Sequence, residues 1–205
     1  SYYVEVAAEG ACNGFSDTII VPVVAAPEVA IEGAANVCFG GMVTMTATVD
    51  TTYGANVQYQ WNRIEGGNQV YPIAGATEST YTTDATLAVG SYNYSVTVIN
   101  PITGCTVTSG VVNASVMPDP TVEILGAEAV CEGGSVTLTA VLSDTIEGAA
   151  YNYTWYRNDV QVGFNSASYT TDVALVAGNY RYYVVVTPAD SMACNATSAT
   201  VFANV

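Results

Sequence analysis

An internal repeat constrains the fold of this chain more than any other feature of its sequence. The stretch PEVAIEGAANVCFGGMVTMTATV at 27–49 aligns without gaps onto PTVEILGAEAVCEGGSVTLTAVL at 120–142, an offset of 93 residues. The match continues with VQYQWNR and YNYTWYR, with YTTDATLAVGSYNYSVTV and YTTDVALVAGNYRYYVVV, and with GCTVTSGVVNASV and ACNATSATVFANV. Because self-similarity at a fixed period marks a repeat architecture, we predict one structural unit that occurs twice.

The repeat divides the chain into an N-terminal segment (residues 1–26), a first repeat (27–118) and a second repeat (119–205). The N-terminal segment matches the end of the repeat, because SYYVEV resembles SYNYSVTV. In addition, Cys12 lies 15 residues before Pro27, as Cys105 lies 15 before Pro120. We therefore expect the last two strands of an incomplete preceding domain. Its other strands would come from a longer array, which the tandem repetition favours, or from another chain.

Alternating apolar and polar residues predict the secondary structure of each repeat. Val43, Met45, Ala47 and Val49 alternate with threonines, which is the period-two pattern of a half-buried strand. The second repeat has the same alternation at Val136–Leu142. Turn residues recur roughly every 8–12 positions, and helical periodicity does not persist over several turns. The prediction is an all-β chain with about seven short strands in each repeat, arranged as a β-sandwich.

Composition limits the partners of this chain. It carries 18 acidic residues, three arginines, no lysine and no histidine, for a net charge of −15. That balance argues against nucleic acid and against anionic membranes, because phosphates are bound by cations. The acidity is interpreted as solubility and self-repulsion; calcium binding is the weaker alternative, because no D-x-D-x-D-G loop is present. No apolar run reaches the roughly 18 residues of a membrane span, so we expect no membrane insertion.

The residue types that most enzymes use are scarce. Without histidine or lysine, a serine or threonine nucleophile lacks a nearby base. The carboxylates are scattered through predicted turns, so the repeat places no two of them together for acid–base work. Zinc is implausible without histidine and with oxidised cysteines. We expect no enzyme, no catalytic residue, no metal site and no cofactor.

Three motifs make the repeat similar to the immunoglobulin (Ig) fold: G-x-S-V-T-L-T in the second repeat (GGMVTMT in the first), a lone tryptophan on the third strand, and L-x-x-G-x-Y. The resemblance implies that Trp61 and Trp155 pack between two sheets and that Tyr92 and Tyr180 form tyrosine corners. A departure is that the core-disulfide positions hold Ala47 with Tyr94, and Ala140 with Tyr182. More narrowly, the V-C-x-G-G-x-V-T…G-C-T pattern resembles Ig-like tandem repeats of secreted Bacteroidetes surface proteins.

Five cysteines suggest an oxidising compartment, and the Ig-like topology limits their pairing. Cys38 and Cys131 lie just before the second predicted strand (B), and Cys105 and Cys194 lie in the turn between the last two strands (F and G). Within one sandwich these two turns lie at opposite ends, roughly 25 Å apart, beyond the reach of a disulfide. End-to-end stacking therefore favours a Cys38–Cys194 bond across the junction. Cys12 and Cys105 would find partners upstream, outside the chain for Cys12, and Cys131 downstream. The alternative pairs Cys38 with Cys105 and Cys131 with Cys194.

Four short motifs resemble the O-glycosylation signal of Bacteroidetes, in which Asp precedes Ser or Thr and then an aliphatic residue or Thr. The motifs at Thr51 and Thr145 occupy the same loop in the two repeats, between the second and third predicted strands. The alternative is that these Asp-Thr and Asp-Ser pairs form Asx turns. The candidate acceptors are Thr18, Thr51, Thr145 and Ser191.

The two repeats differ on the outward face of two predicted strands: strand C, which contains the tryptophan, and strand F, which contains Tyr92 or Tyr180. The first repeat has Asn62, Asn93, Ser95 and Thr97, and the second has Tyr156, Arg181, Tyr183 and Val185 at the same places. Surface drift between the repeats would explain this difference. A lateral contact site for another filament, subunit or glycan would explain it equally well.

These patterns together indicate a non-enzymatic extracellular structural protein at the cell surface. Tandem Ig-like repeats would form a filament, stalk or adhesin shaft, with neighbouring repeats or subunits of the same protein as partners and glycans as further candidates. The alternatives are a carbohydrate-binding module, which needs exposed coplanar aromatic rings, and an accessory domain of a larger secreted protein.

Overall fold

The structure is a computed structural model that describes residues 1–7, 9–10, 12–21, 28–50, 56–189 and 193–205. Within these ranges the chain is all-β, as predicted, and contains no helix. The strands are β1 (Glu5–Val6), β2 (Gly14–Phe15), β3 (Val29–Glu32), β4 (Asn36–Cys38), β5 (Thr44–Val49), β6 (Gln58–Glu65), β7 (Gln69–Pro72), β8 (Thr80–Thr82), β9 (Gly90–Ile99), β10 (Thr106–Thr108), β11 (Val112–Met117), β12 (Thr121–Leu125), β13 (Thr137–Ser143), β14 (Tyr151–Arg157), β15 (Val160–Phe164), β16 (Ser168–Thr170), β17 (Asn179–Pro188), β18 (Ala196–Thr197) and β19 (Val201–Asn204).

Two sheets of the first repeat share one core. The smaller sheet has the order β3-β5-β8; the larger has the order β4-β11-β9-β6-β7, and β10 also pairs with β9. Met45 and Ala47 of the smaller sheet pack in the same buried cluster as Trp61, Val96 and Val98 of the larger one. The two sheets therefore face each other across these side chains.

The second repeat also has two sheets, without a counterpart of β4 among its described residues. Its smaller sheet has the order β12-β13-β16; the larger has the order β15-β14-β17-β18, and β19 also pairs with β17. Leu138 and Ala140 from one sheet share a buried cluster with Trp155, Val184 and Val186 from the other. Among the described strands, every pairing stays within the N-terminal segment, the first repeat or the second repeat.

The predicted alternation matches the observed burial. Met45 and Leu138 are fully buried, whereas the neighbouring Thr44 and Thr137 are exposed. The same side of β5 and β13 therefore faces the core in both repeats, because successive side chains of a strand point to opposite faces.

The predicted number of about seven strands per repeat is too low for the described residues, which form nine strands in the first repeat and eight in the second. One cause is a break in the first strand. At Gly33 (φ +85°) the chain leaves β3, which pairs with β5, and enters β4, which pairs in parallel with β11. A Cβ atom there would lie 2.5 Å from the carbonyl oxygen of Thr44, so only glycine fits without a shift. Gly126 repeats this geometry against Thr137.

The N-terminal segment forms a small hairpin. Strands β1 and β2 pair antiparallel, and an antiparallel bridge joins Tyr2 to Ile19. Most of its large apolar side chains are exposed, including Tyr2, Val4, Val6 and Phe15. The hairpin therefore lacks a second layer among the described residues.

Candidate functional site

A disulfide between Cys38 and Cys194 joins the two repeats, as predicted. Cys38 ends β4, and the register of β4 with β11 places it opposite Met117, the last residue of the first repeat's final strand. The backbone N–H of the next residue, Phe39, donates to the carbonyl oxygen of Met117 at 2.9 Å. These backbone contacts hold Cys38 beside the point where the chain passes into the second repeat.

Cys194 reaches the same point from the other repeat. It lies between β17 and β18 and is only 3% exposed. The Cα atoms of Cys38 and Cys194 are 5.9 Å apart, although 156 residues separate them in sequence. Since Cys38 and Cys194 are bonded to each other, the alternative pairs Cys38–Cys105 and Cys131–Cys194 are absent.

Cys12, Cys105 and Cys131 are free in the described chain. Cys12 and Cys131 are exposed, and Cys105 is partly exposed. The expectation that they pair with cysteines upstream or downstream stays a prediction.

Asp119 lies next to the disulfide. One of its carboxylate oxygens and the sulfurs of Cys38 and Cys194 all lie within 4.8 Å of one another. Metal ions bind thiolates, and a disulfide offers none, so this group does not suit a metal while the bond is intact. In the oxidised protein the junction is a covalent link.

The four predicted lateral-contact residues form one cluster on the second repeat. Tyr156 and Tyr183 are paired across strands, with ring centroids 4.8 Å apart and ring planes 8° apart. Arg181 forms an ion pair with Asp159. Tyr156, Arg181, Tyr183 and Val185 are all partly exposed.

The surroundings of Tyr183 disfavour its ionised form. Desolvation and then the neighbouring carboxylate of Asp159 raise the pKa of Tyr183. A tyrosine hydroxyl is protonated at neutral pH even without this shift, so it can donate a hydrogen bond there.

The corresponding residues of the first repeat differ from the expected solvent face. Asn62 is 4% exposed and Ser95 only 1% exposed, whereas Asn93 is exposed. The amide of Asn62 donates to the hydroxyl of Thr97 at 3.1 Å. These small polar side chains pack against one another. The outward face of the first repeat is therefore polar and closed, whereas that of the second repeat is aromatic and more open.

The tryptophans and the Tyr156–Tyr183 pair do not form a flat sugar-binding platform. Trp61 and Trp155 are fully buried, and their indole N–H groups donate to the carbonyls of Glu78 and Ser166. Tyr156 and Tyr183 stack on each other, whereas a sugar platform needs rings side by side. These four rings therefore give no support to the carbohydrate-binding alternative.

Two of the four candidate glycosylation sites can be located. Thr18 and Thr145 are exposed. Thr145 follows Asp144, whose positive φ of 56° lies in the left-handed region. Thr51 and Ser191 lie outside the described residues.

All three arginines have partners within the chain. Arg63 lies over the ring of Tyr92 at 4.8 Å, and Arg157 lies over that of Tyr180 at 5.8 Å. Arg63 also contacts the carboxylate of Glu65 at 2.8 Å. With Arg181 paired to Asp159, each of the three guanidinium groups has a partner among the described residues.

A serine recurs four residues after a cysteine in the hairpin that ends each repeat and in the N-terminal segment, and its role was not predicted from the sequence. Ser16 follows Cys12, Ser109 follows Cys105 and Ser198 follows Cys194. Each hydroxyl oxygen accepts a backbone N–H from the neighbouring strand. The fixed Cys-x-x-x-Ser spacing was the available signal.

Neither the family models nor the curated proteins contain a match to this chain. In the described part, no helix has the length and apolarity needed to cross a bilayer.

Proposed function

We propose that this chain is part of an extracellular tandem array of Ig-like β-sandwiches that serves as a filament, stalk or adhesin shaft. The observation that carries the proposal is the Cys38–Cys194 disulfide, which links the two repeats at their junction. A bond placed there limits the angle between neighbours, which is useful to a fibre and has no part in catalysis.

The Ig-like assignment is supported by hydrogen bonds that the resemblance implied. The hydroxyl of Tyr92 donates to the carbonyl of Ala88 at 2.7 Å, and that of Tyr180 donates to Val176 at 3.0 Å. This back-bonding four residues upstream is typical of a tyrosine corner. The core-disulfide positions are filled by buried side chains, namely Ala47, Tyr94, Ala140 and Tyr182.

The chemistry of the chain favours an extracellular location at the cell surface. Structural disulfides persist in oxidising compartments and are rare in the cytosol. A net charge of −15 keeps a fibre soluble by self-repulsion. Exposed Thr18 and Thr145 lie in the short motif that resembles the Bacteroidetes O-glycosylation signal, so a sugar coat is part of the proposal.

Electron microscopy of the native protein tests this function. We expect a thin, unbranched fibre whose axial repeat matches the length of stacked sandwiches, with the Cys38–Cys194 peptide recovered from it under non-reducing conditions. A dispersed monomer that binds polysaccharide would overturn the structural role and favour the carbohydrate-binding alternative.

A further inference from the structure

The N-terminal hairpin (β1–β2) has the same strand register as the β17–β18 hairpin of the second repeat. Pairing between β1 and β2 joins Glu5 to Phe15 and Val6 to Gly14. Aligned on Cys12 and Cys194, Gly14 and Phe15 correspond to Ala196 and Thr197, which pair with Val186 and Val185 of β17. The connection between the paired strands is two residues shorter in the N-terminal hairpin. The hairpin is thus folded as the end of a repeat.

The hydrogen bonds of the two hairpins agree as well. The backbone N–H of Val4 donates to the hydroxyl of Ser16 at 2.8 Å, as that of Val184 donates to Ser198 at 3.0 Å. In the reverse direction the N–H of Ser16 donates to Val4, and that of Ser198 donates to Val184. This match makes Val4 equivalent to Val184, and Tyr2 equivalent to Tyr182.

These equivalent residues differ completely in burial. Tyr182, Val184 and Val186 are fully buried in the second repeat. Their counterparts are open to solvent: Tyr2 is 70% exposed, Val4 63% and Val6 63%. The hairpin therefore presents a core face without the strands that cover it in a complete repeat.

A second observation, independent of the first, concerns Cys105. It is equivalent to Cys194, since each precedes the paired serine of its hairpin by four residues. Cys194 is bonded to the cysteine that ends β4 of the repeat before it, whereas Cys105 is a free thiol. The spacing from Cys12 to Pro27 equals that from Cys105 to Pro120, so the two junctions have linkers of one length.

We propose that one partner meets both requirements: the strands equivalent to β3–β8 of another repeat of this type. These strands would cover Tyr2, Val4 and Val6, and the cysteine that ends their β4 equivalent would bond Cys105. This inference rests on the proposed function, because it treats the array as a series of identical junctions. It adds the identity of the partner and its two points of attachment.

The covalent step is a thiol–disulfide exchange with a small disulfide oxidant. The thiols of Cys105 and of the partner cysteine lose two protons and two electrons in forming one S–S bond. Oxidised glutathione accepts these and leaves as two molecules of reduced glutathione.

The experiment uses a separate polypeptide with the sequence of residues 28–92, which carries a single cysteine at position 38. It is mixed with the complete 205-residue chain in a glutathione redox buffer. We expect a one-to-one complex, slower amide exchange at Val4 and Val6, and a disulfide from the added polypeptide to Cys105 in non-reducing peptide maps.

Matched variants separate the two attachments. Val4→Glu should abolish the complex, whereas Val160→Glu, at a residue with nearly the same exposed fraction, should leave it intact. Cys105→Ser should retain the non-covalent complex and lose the disulfide, and Cys131→Ser should retain both.

A fused chain tests the same docking without requiring the added polypeptide to fold on its own. Residues 28–92 are placed directly before Ser1, which joins them in the register of the first repeat. We expect the same disulfide to Cys105 and the same amide protection in this chain.

Three results would overturn the docking proposal: exposed Val4 and Val6 amides in the fusion, bonds to Cys12 or Cys131 as frequent as bonds to Cys105, or hairpin-to-hairpin pairing of two copies of the chain. If any of them occurs while micrographs still show a fibre, the docking proposal alone fails. If the native protein is a dispersed monomer, the proposed function fails independently.

Discussion

Ser198 and Val184 form two reciprocal hydrogen bonds. The backbone N–H of Val184 donates to the Ser198 hydroxyl at 3.0 Å, and the backbone N–H of Ser198 donates to the Val184 carbonyl at 3.0 Å. The serine thereby pairs a buried backbone group where the last strand is interrupted between β18 and β19. Ser109 with Val96 and Ser16 with Val4 repeat the arrangement.

Replacing Ser198→Ala should destabilise the second repeat by about 1–3 kcal/mol, because a buried N–H of Val184 would lose its partner. Chemical denaturation monitored by fluorescence of the buried Trp155 measures the effect. The control is Thr200→Ala, an exposed residue in the same segment, which should change the free energy of unfolding by less than about 0.5 kcal/mol. Equal effects of the two substitutions would contradict the role given to Ser198.

Gly126 should tolerate substitution much less than Gly133. Both have positive φ (+86° and +83°), but a Cβ at Gly126 would lie 2.4 Å from the carbonyl oxygen of Thr137, whereas one at Gly133 meets nothing within 4 Å. Gly126→Ala should therefore cost about 1–3 kcal/mol more than Gly133→Ala, because the backbone must shift. Thermal unfolding of the two variants gives the comparison, and similar losses would show that φ alone matters.

Stability should fall in alkaline solution, in part because of Tyr94. Burial and then the neighbouring Tyr81 raise the pKa of Tyr94 to about 12, from about 10 in an unfolded chain. The neutral ring therefore contributes stability that is complete below pH about 10 and is lost as the pH rises through about 12. Tyr94→Phe should reduce the drop in melting temperature between pH 9 and pH 11, two values chosen roughly to bracket that onset. Tyr2→Phe, at an exposed ring, should leave the drop unchanged; a drop in Tyr94→Phe as large as that of the unsubstituted chain refutes this assignment.

The disulfide should shield the residues between Cys38 and Cys194 from a pulling force. When the chain is pulled at its two ends, the Cys38–Cys194 bond closes a loop of 156 residues. At about 3.4 Å per residue, this loop corresponds to about 530 Å of chain that cannot extend while the bond is intact. In single-molecule stretching, that length should appear only after reduction or in Cys38→Ser. Cys131→Ser is the matched control and should behave like the unsubstituted chain. Full extension of the oxidised chain would show that the bond does not carry the load.

The aromatic cluster of the second repeat should govern side-by-side association. The double variant Tyr183→Ser with Val185→Ser should weaken self-association in sedimentation velocity experiments, because it removes apolar area and the stacked pair. Val141→Ser changes an exposed valine on the other sheet and serves as the control. Association that is unchanged in the double variant would leave surface drift as the explanation.

Much of the fold could be predicted because its determinants are local. Period-two alternation around Met45 and Leu138 identified the buried faces of β5 and β13. The resemblance to the Ig fold also drew attention to Tyr92 and Tyr180, whose hydroxyls donate to backbone carbonyls four residues upstream. It did not predict that the first strand would switch sheets at Gly33, because the cause is a contact with Thr44 from a different strand.

The sequence by itself determined the all-β character, the repetition and the residues of the two cores, since side-chain periodicity and a 93-residue offset are written along the chain. Only the tertiary structure decided which cysteines pair and how closed each outward face is. Pairing depends on the distance between Cys38 and Cys194 once the repeats are stacked, and the burial of Asn62 and Ser95 depends on neighbouring strands. Both the disulfide and the burial depend on contacts between residues that are far apart in sequence, such as the 156 positions that separate Cys38 and Cys194. Such contacts form only on folding.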